Sequence, residues 1–192
     1  KIPDKKVDNL VNEEITAEFI KKQLLELAKE DITFVTFSLK SQLSYLPFNG
    51  DMDVFDVEIA SYLLQPEVSS YDYPYVASTY LDLELETQAE IMQKHSYEEL
   101  RTFYETEYVK AVTYETIVCH LAYQSLMEKL THSEMLSLFE TIEMPLVYTL
   151  YDMEQRGIRV NKEALREYGS NLLVSIKELE QSIYQMVGEE FN

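Results

Sequence analysis

Apolar residues recur at helical spacing along most of the chain. Residues 1–14 are polar and are expected to form a loop. A helix is predicted to start after Thr16, whose hydroxyl suits an N-cap, with Ile15 and Ile20 as a hydrophobic staple. The stripe expected to be buried on this helix consists of Phe19, Ile20, Leu24 and Leu27. Residues 32–37 are dense in β-branched and aromatic side chains, which indicates a strand.

Helix-start signals mark the middle of the chain. Asp56 suits the N-cap of a helix that opens at Phe55-Asp56 and runs to about Leu64, and Pro74 suits a first helical turn. Residues 82–94 are acidic and only weakly patterned. Ser96 and Glu99 form a capping box, which predicts one long helix to about Leu130. Its expected apolar side consists of Leu100, Phe103, Tyr104, Ala111, Tyr114, Val118 and Leu121.

The last third of the chain is predicted to be helical as well. A second capping box at residues 131–134 predicts the start of another helix, and Pro145 within that helix predicts a kink or break near Glu143. Arg156 followed by Gly157 predicts the end of that helix. Asn161 suits the cap of the final helix, which Gly188 ends. Its seam repeats every seventh residue and predicts packing against a neighbouring helix; the repeating residues are Leu165, Leu172, Leu179 and Met186, with Gly169, Ile176 and Ile183 at the other seam position.

Composition and charge exclude several kinds of protein. The chain has 192 residues and 46% hydrophobic residues, so a packed core over one or two domains is expected. One cysteine excludes an internal disulfide and a multi-cysteine zinc site, and four glycines argue against glycine-rich phosphate loops. The net charge of −19 predicts weak binding to nucleic acid. No signal peptide and no apolar run long enough for a membrane helix is found.

A long motif in the last fifty residues resembles a known family. Residues 143–147 (Glu-Met-Pro-Leu-Val), Leu150 and residues 153–160 (Met-Glu-Gln-Arg-Gly-Ile-Arg-Val) resemble the family A polymerases, the bacterial DNA polymerase I family. The pattern is E-x-P-L…L…M-E-x-x-G-[IV]-x-[VL], which joins the exonuclease domain to the polymerase domain in that family. The resemblance continues through residues 179–180, residues 183–184, Gly188 and residues 190–192. On this resemblance the chain is expected to be interrupted at its C-terminal end.

A second match lies upstream. Phe55, Asp56 and residues 60–66 resemble the family's F-D-x-x-x-A-x-Y-L-L-x-P helix of the 3′–5′ exonuclease domain. The resemblance implies a helix-dominated α/β fold with an incomplete ribonuclease-H-like domain over residues 1–130. Residues 131–192 would be the connector and the first thumb helices. The parent protein would be a cytoplasmic, nucleoid-associated polymerase that uses Mg²⁺. Its palm, fingers and remaining thumb would be the partners of this segment, which would lack polymerase activity, and no membrane is involved.

The same resemblance implies that the exonuclease site is degenerate. The family holds two metals with four carboxylates: two from a D-x-E on a first strand, one from N-x-K-x-D and one from Y-x-x-x-D. No strand with D-x-E is found here. Ser38, Lys40 and Gln42 fall on N-x-K-x-D, and Lys110 and Tyr114 fall on the Tyr and Asp of Y-x-x-x-D. A neutral amide and a phenol cannot replace bridging carboxylates, so the segment is expected to be an inactive, structural exonuclease-like domain without a cofactor.

Other residues have alternative interpretations. Asp56-Val57-Glu58 is itself a D-x-E that could bind a metal on a strand, but a helix cap is favoured. A shift of one helical turn would place a carboxylate at the fourth position, and the candidates are Glu105, Glu107 and Glu115. A solvated acidic face is the default interpretation of those three. The 15 tyrosines could stack on bases, but without interleaved basic residues most are expected in the core or at interfaces.

The histidines and the cysteine are expected to have no catalytic role. His95, His120 and His132 have no metal-ligand spacing, and His120 is expected to pack inside the long helix. Cys119 is expected to be a buried small hydrophobe.

The final helix carries candidate DNA contacts at Lys162, Arg166 and Lys177. In the alternative interpretation, the chain is a freestanding acidic helical adaptor that binds basic partners.

Overall fold

The structure is a computed structural model that describes residues 16–191. The predictions for residues 1–14 and for Ile15 lie outside the described residues. Helices dominate the described part, which also has two parallel strands, so the helix-rich α/β prediction is confirmed at that level. The elements in chain order are α1 (Ala17–Leu27), β1 (Phe34–Thr36), α2 (Leu39–Gln42), β2 (Val54–Asp56), α3 (Val57–Leu64), α4 (Tyr73–Leu81), α5 (Gln88–Met92), α6 (Tyr97–Phe103), α7 (Glu105–His132), α8 (Leu136–Leu138), a π-helical turn (Phe139–Glu143), α9 (Met144–Arg156) and α10 (Lys162–Val187).

The two strands form a short parallel sheet. Val35 pairs with Phe55, and the pairing extends one residue to either side. The predicted strand over residues 32–37 is confirmed as the shorter β1. Strand β2 was not predicted, because Phe55 and Asp56 were assigned to the helix that follows. The helix begins one residue after Asp56, so the same residue ends the strand and caps the helix.

Helix α7 is the centre of the core. It packs against α3, α4, α5, α6 and β1. Its buried residues are Val118, Cys119, Ala122, Leu126 and Leu130. The predicted apolar side was partly wrong, because Phe103, Tyr104 and Leu121 are exposed. Among the buried residues of α7, Val118, Ala122, Leu126 and Leu130 recur every four positions, so the stripe that meets the core includes Ala122 and omits Leu121.

The single helix predicted over residues 96–130 is in fact two helices. The capping box is confirmed, since the Glu99 N–H donates to Ser96 Oγ at 3.2 Å and the Ser96 N–H donates to Glu99 Oε2 at 2.7 Å. Tyr104 then leaves the helical conformation, with φ −135° and ψ 66°, and separates α6 from α7.

The prediction of a second capping box at residues 131–134 was wrong. Thr131 lies inside α7, where its hydroxyl donates to the Met127 carbonyl at 2.8 Å instead of capping a new helix.

Pro145 disturbs the helix as predicted. The π-helical turn Phe139–Glu143 comes immediately before α9. Proline has no backbone N–H, so Pro145 cannot donate to the Thr141 carbonyl as a regular α-helix would require. The wider turn accommodates that missing hydrogen bond.

In the N-terminal half, one prediction is confirmed and two need correction. The Thr16 cap is confirmed by a 3.1 Å hydrogen bond from the Phe19 N–H. The stripe of α1 is not buried, because no other described element packs extensively along this helix. Residues 82–94 contain the unpredicted helix α5, which starts at a capping box between Thr87 and Glu90.

The chain forms two compact units, the first ending at Met153 and the second starting at Glu154. In the second unit, Asn161 caps α10 by accepting from the Ala164 N–H at 3.1 Å, as predicted. Gly157 and Gly188 adopt positive φ angles of 65° and 88°, which explains glycine at both helix ends. The heptad residues of α10 are exposed apart from Gly169. The boundary predicted at residue 130 separates the family's exonuclease-like domain from its connector and thumb. The division into compact units does not test it, so it stays a prediction.

Candidate functional site

Three of the predicted site residues lie where β1 leads into α2: Ser38 in the turn, and Lys40 and Gln42 in α2. Ser38 adopts a left-handed conformation with φ 52° and ψ 53°, which is uncommon for a residue other than glycine. The backbone N–H groups of Ser38 and Leu39 donate to the carboxylate of Asp56 at 3.3 and 2.7 Å. The carboxylate at the end of β2 therefore fixes the turn.

Asp56 is the central polar residue of this region. It is buried, and it also accepts the N–H groups of Glu58 at 2.9 Å and Ile59 at 3.4 Å. One carboxylate thus caps α3 and anchors the start of α2. Burial raises the pKa of Asp56 to about 6, against the lowering effect of the backbone hydrogen bonds from Leu39 and Glu58. The helix-cap interpretation of Asp56 is confirmed.

The side-chain amide of Gln42 makes a hydrogen bond to the backbone a few residues earlier in the chain. Its side-chain Nε2 donates to the Phe37 carbonyl at 2.6 Å. Phe37 directly follows β1, so this hydrogen bond stabilises the turn that joins β1 to α2. Lys40, two residues earlier, lines a separate cleft together with Glu58 and Glu143.

Lys110 and Tyr114 lie on α7 and make contacts of their own. The Lys110 ammonium pairs with the carboxylate of Glu86, and this hydrogen bond raises the pKa of Lys110. The Tyr114 ring meets the Tyr73 ring edge-on, with 6.2 Å between centroids. The side chains of Lys110 and Tyr114 are therefore engaged with α4 and with the segment before α5.

A cleft of about 500 Å³ lies between the Ser38 turn and α7. Its α7 wall is formed by Ala111 and Glu115, each one residue after a predicted position. Glu58 lines the same cleft. Burial of the carboxyl group, followed by the nearby Glu58 carboxylate, raises the pKa of Glu115. Of the three alternative glutamates, Glu115 faces this cleft.

The cleft therefore brings Ser38 together with Glu58 and Glu115, but not with Gln42, Lys110 or Tyr114. Within residues 16–191, no group of three or more His, Cys, Asp or Glu side chains is arranged to hold a metal ion. The opposite wall includes Gln88 and Tyr97, joined by a 2.7 Å hydrogen bond from Gln88 Nε2 to the tyrosine hydroxyl. These two were missed, although the T-x-x-E pattern starting at Thr87 could have located α5.

The histidines lie apart from one another. His95 stacks on Tyr104 with 4.7 Å between ring centroids, and His132 Nδ1 lies 2.7 Å from the Glu128 carbonyl oxygen. His120 is exposed, so its predicted packing role was wrong. Cys119 is buried as predicted, and burial raises the pKa of its thiol to about 12. A thiol with such a pKa is protonated at neutral pH and is a poor nucleophile.

Comparison with known proteins gives the family. DNA polymerase I of Bacillus subtilis is 34% identical over 148 residues, which are 72% of this chain and 16% of that protein. DNA polymerase I of Caldicellulosiruptor bescii is 30% identical over 170 residues, 87% of this chain and 18% of that protein. The enzyme of Treponema pallidum is 30% identical over 143 residues, 73% of this chain and 14% of that protein.

The chain belongs to the bacterial DNA polymerase I family. It spans less than a fifth of the length of these three relatives, so it matches one segment of much longer polymerases. No family model and no solved structure matches the chain.

The predicted DNA-contact residues of this polymerase segment lie on α10. Lys162, Arg166 and Lys177 are all exposed. At 100° per residue they fall within about 60° of one another around the helix, so they share one face. The helix also carries acidic side chains beside this face, and each follows one of the basic residues directly: Glu163, Glu167 and Glu178. No described helix is both long and apolar enough to cross a membrane.

Proposed function

We propose that the chain is the 3′–5′ exonuclease-like domain and the first thumb helices of a bacterial DNA polymerase I, and that it is structural rather than catalytic. Residues up to about 130 would form an incomplete ribonuclease-H-like domain, and residues from 131 the connector and thumb. One observation carries the inactivity: Gln42, at the position of the third metal-binding carboxylate, donates its amide to the Phe37 carbonyl at 2.6 Å. An amide held in this way offers no negative charge to a metal.

The rest of the cleft supports the same proposal. Two-metal hydrolysis needs several carboxylates that converge on both ions. The cleft is lined by the carboxylates of Glu58, Asp72 and Glu115, and Asp72 already accepts the Tyr75 N–H at 3.2 Å as the cap of α4. Asp56 is engaged by four backbone N–H groups. This donor set does not fit two divalent ions, so no hydrolytic step is assigned to it.

The role proposed for the segment follows from the function of its relatives. The parent would synthesise DNA on a template with Mg²⁺ in its palm, in the bacterial cytoplasm at the nucleoid. The exonuclease-like domain would dock beside the palm, fingers and remaining thumb of the same polypeptide and support their geometry. Lys162, Arg166 and Lys177 are the residues proposed to approach DNA in that setting. Because the net charge is −19, the chain alone is expected to bind DNA weakly.

The metal part of this proposal is tested by thermal unfolding with and without Mn²⁺. A site that binds Mn²⁺ adds RT ln(1 + [L]/Kd) to stability, about 2.7 kcal/mol at one hundred times Kd, which corresponds to several degrees in Tm. We expect the Tm of the chain to change by less than about 1 °C at millimolar Mn²⁺. A saturable rise of several degrees that Glu115→Gln abolishes would overturn the proposal. Glu98→Gln, an equal charge change on α6, is the matched control.

A further inference from the structure

A second cavity, of about 360 Å³, lies on the other side of β2 between that strand, α7 and the π-helical turn. Its volume falls at the lower end of the range of small-molecule sites, roughly 300–1,000 Å³. The cleft with Glu58 and Glu115 shares none of its lining residues. The proposed function makes no use of this cavity.

The walls of the cavity are aromatic. Phe55 forms part of the wall and contacts Tyr123 edge-on at 5.0 Å and Phe139 at 4.8 Å between ring centroids. Tyr148 adds a fourth ring, and its hydroxyl makes no hydrogen bond with another described residue. Three of the chain's seven methionines complete the apolar lining: Met52, Met127 and Met144. Methionine side chains adapt to the shape of a bound group and contact aromatic rings favourably.

The charge at the opening is negative only. Asp53 and Glu140 line the cavity and are exposed. The Thr33 hydroxyl, in the same lining, donates a hydrogen bond to the Asp53 carboxylate, which leaves the negative charge in place. Among the described residues that line it there is no Lys, Arg or His. Glu140 belongs to the π-helical turn, and such turns occur frequently at functional sites.

We propose that this cavity binds a small organic cation, an ammonium ion attached to an apolar body. The apolar body would enter among the aromatic rings and the methionines, and the cationic head would remain between the ring faces and the carboxylates of Asp53 and Glu140. Cations are attracted to aromatic faces and to carboxylates together, whereas an anion would meet two like charges.

The test is an NMR titration of the whole chain, labelled at the methionine methyl groups, with benzyltrimethylammonium as the probe. The methyl signals of Met52, Met127 and Met144 are expected to shift with a common Kd between about 0.1 and 1 mM, the affinity of a small ligand of ordinary binding efficiency. The four other methionines are internal controls that should not shift: Met92, Met135, Met153 and Met186. Signals are assigned by Met→Leu variants.

Charge-removing variants and a neutral ligand show how much of the affinity comes from the carboxylates and how much from the shape of the cavity. Glu140→Gln and Asp53→Asn should each weaken binding about threefold, and the double variant about tenfold, since each carboxylate is partly screened by solvent. Glu98→Gln, which removes the same charge on α6, should leave Kd unchanged. Benzyl alcohol, with the same ring but no charge, should bind at least about tenfold more weakly. The absence of a saturable shift up to about 10 mM, equal binding of benzyl alcohol, or equal shifts at all seven methionines would each overturn the proposal.

Discussion

Replacement of Asp56 by alanine is expected to lower the free energy of unfolding by about 3 kcal/mol. The carboxylate caps α3 through Glu58 and Ile59 and anchors α2 through Ser38 and Leu39. Each lost cap costs about 1 kcal/mol, and the buried Leu39 N–H then lacks its partner, which adds about as much again. Urea denaturation followed by the near-ultraviolet circular dichroism of the tyrosines measures the loss.

The matched control is Asp72→Ala. Asp72 is an exposed N-cap that serves a single helix, α4, by accepting the Tyr75 N–H at 3.2 Å. Its removal should cost about 1 kcal/mol. Equal losses for the two variants would contradict the double role assigned to Asp56.

The pH dependence of stability gives a second view of Asp56. Burial raises its pKa from 3.8 to about 6. Protonated Asp56 therefore raises the free energy of unfolding. This contribution is complete below pH 3.8 and is lost as the pH rises through about 6. Between pH 7 and pH 5, the wild-type chain should gain more stability on acidification than Asp56→Asn, whose side chain does not titrate. Equal gains would contradict the raised pKa.

Replacement of Leu126 by alanine is also expected to cost about 3 kcal/mol. Leu126 is fully buried in the C-terminal half of α7, the helix against which most other elements of the first unit pack. Truncation removes the apolar area of the side chain and leaves a cavity that dense surroundings cannot fill. The free energy of unfolding in urea measures this loss.

Leu121→Ala is the control for that substitution. It makes the same chemical change on the same helix, but Leu121 is 47% exposed. The expected cost is below about 1 kcal/mol. A cost for Leu121→Ala that matched that of Leu126→Ala would contradict the orientation of α7.

Local signals predicted the ends of helices better than their buried faces. Thr16, Ser96 and Asn161 cap helices as predicted, because an N-cap depends on residues three positions away. The stripe on α1 and the Leu121 side of α7 were predicted wrongly, because burial depends on which other element packs there. An amphipathic pattern identifies an apolar face, but it does not identify the element that covers it.

The candidate site was predictable to a similar extent. Of the residues matched to N-x-K-x-D, Ser38 lines the cleft, whereas Lys40 and Gln42 lie in α2 and do not line it. Their correspondence to the family's metal-binding positions stays a prediction. The α7 wall differs from the predicted pair, because Ala111 and Glu115 face the cleft while Lys110 and Tyr114 contact other elements. Adjacent helical residues differ by about 100° in direction, so a sequence pattern alone does not decide which of two neighbours faces a cleft. The assignment of Lys110 and Tyr114 to the family's Y-x-x-x-D stays a prediction.

The proposal that the chain includes an inactive 3′–5′ exonuclease-like domain is tested most directly by incubating the chain with a 5′-labelled single-stranded oligonucleotide and Mn²⁺. The products are compared with those from a Glu58→Gln/Glu115→Gln double variant purified in the same way, which controls for contaminating nucleases. We expect the wild-type chain, the double variant and a reaction without protein to leave the same amount of full-length oligonucleotide. Progressive shortening from the 3′ end by the wild-type chain, absent with the double variant, would contradict the account.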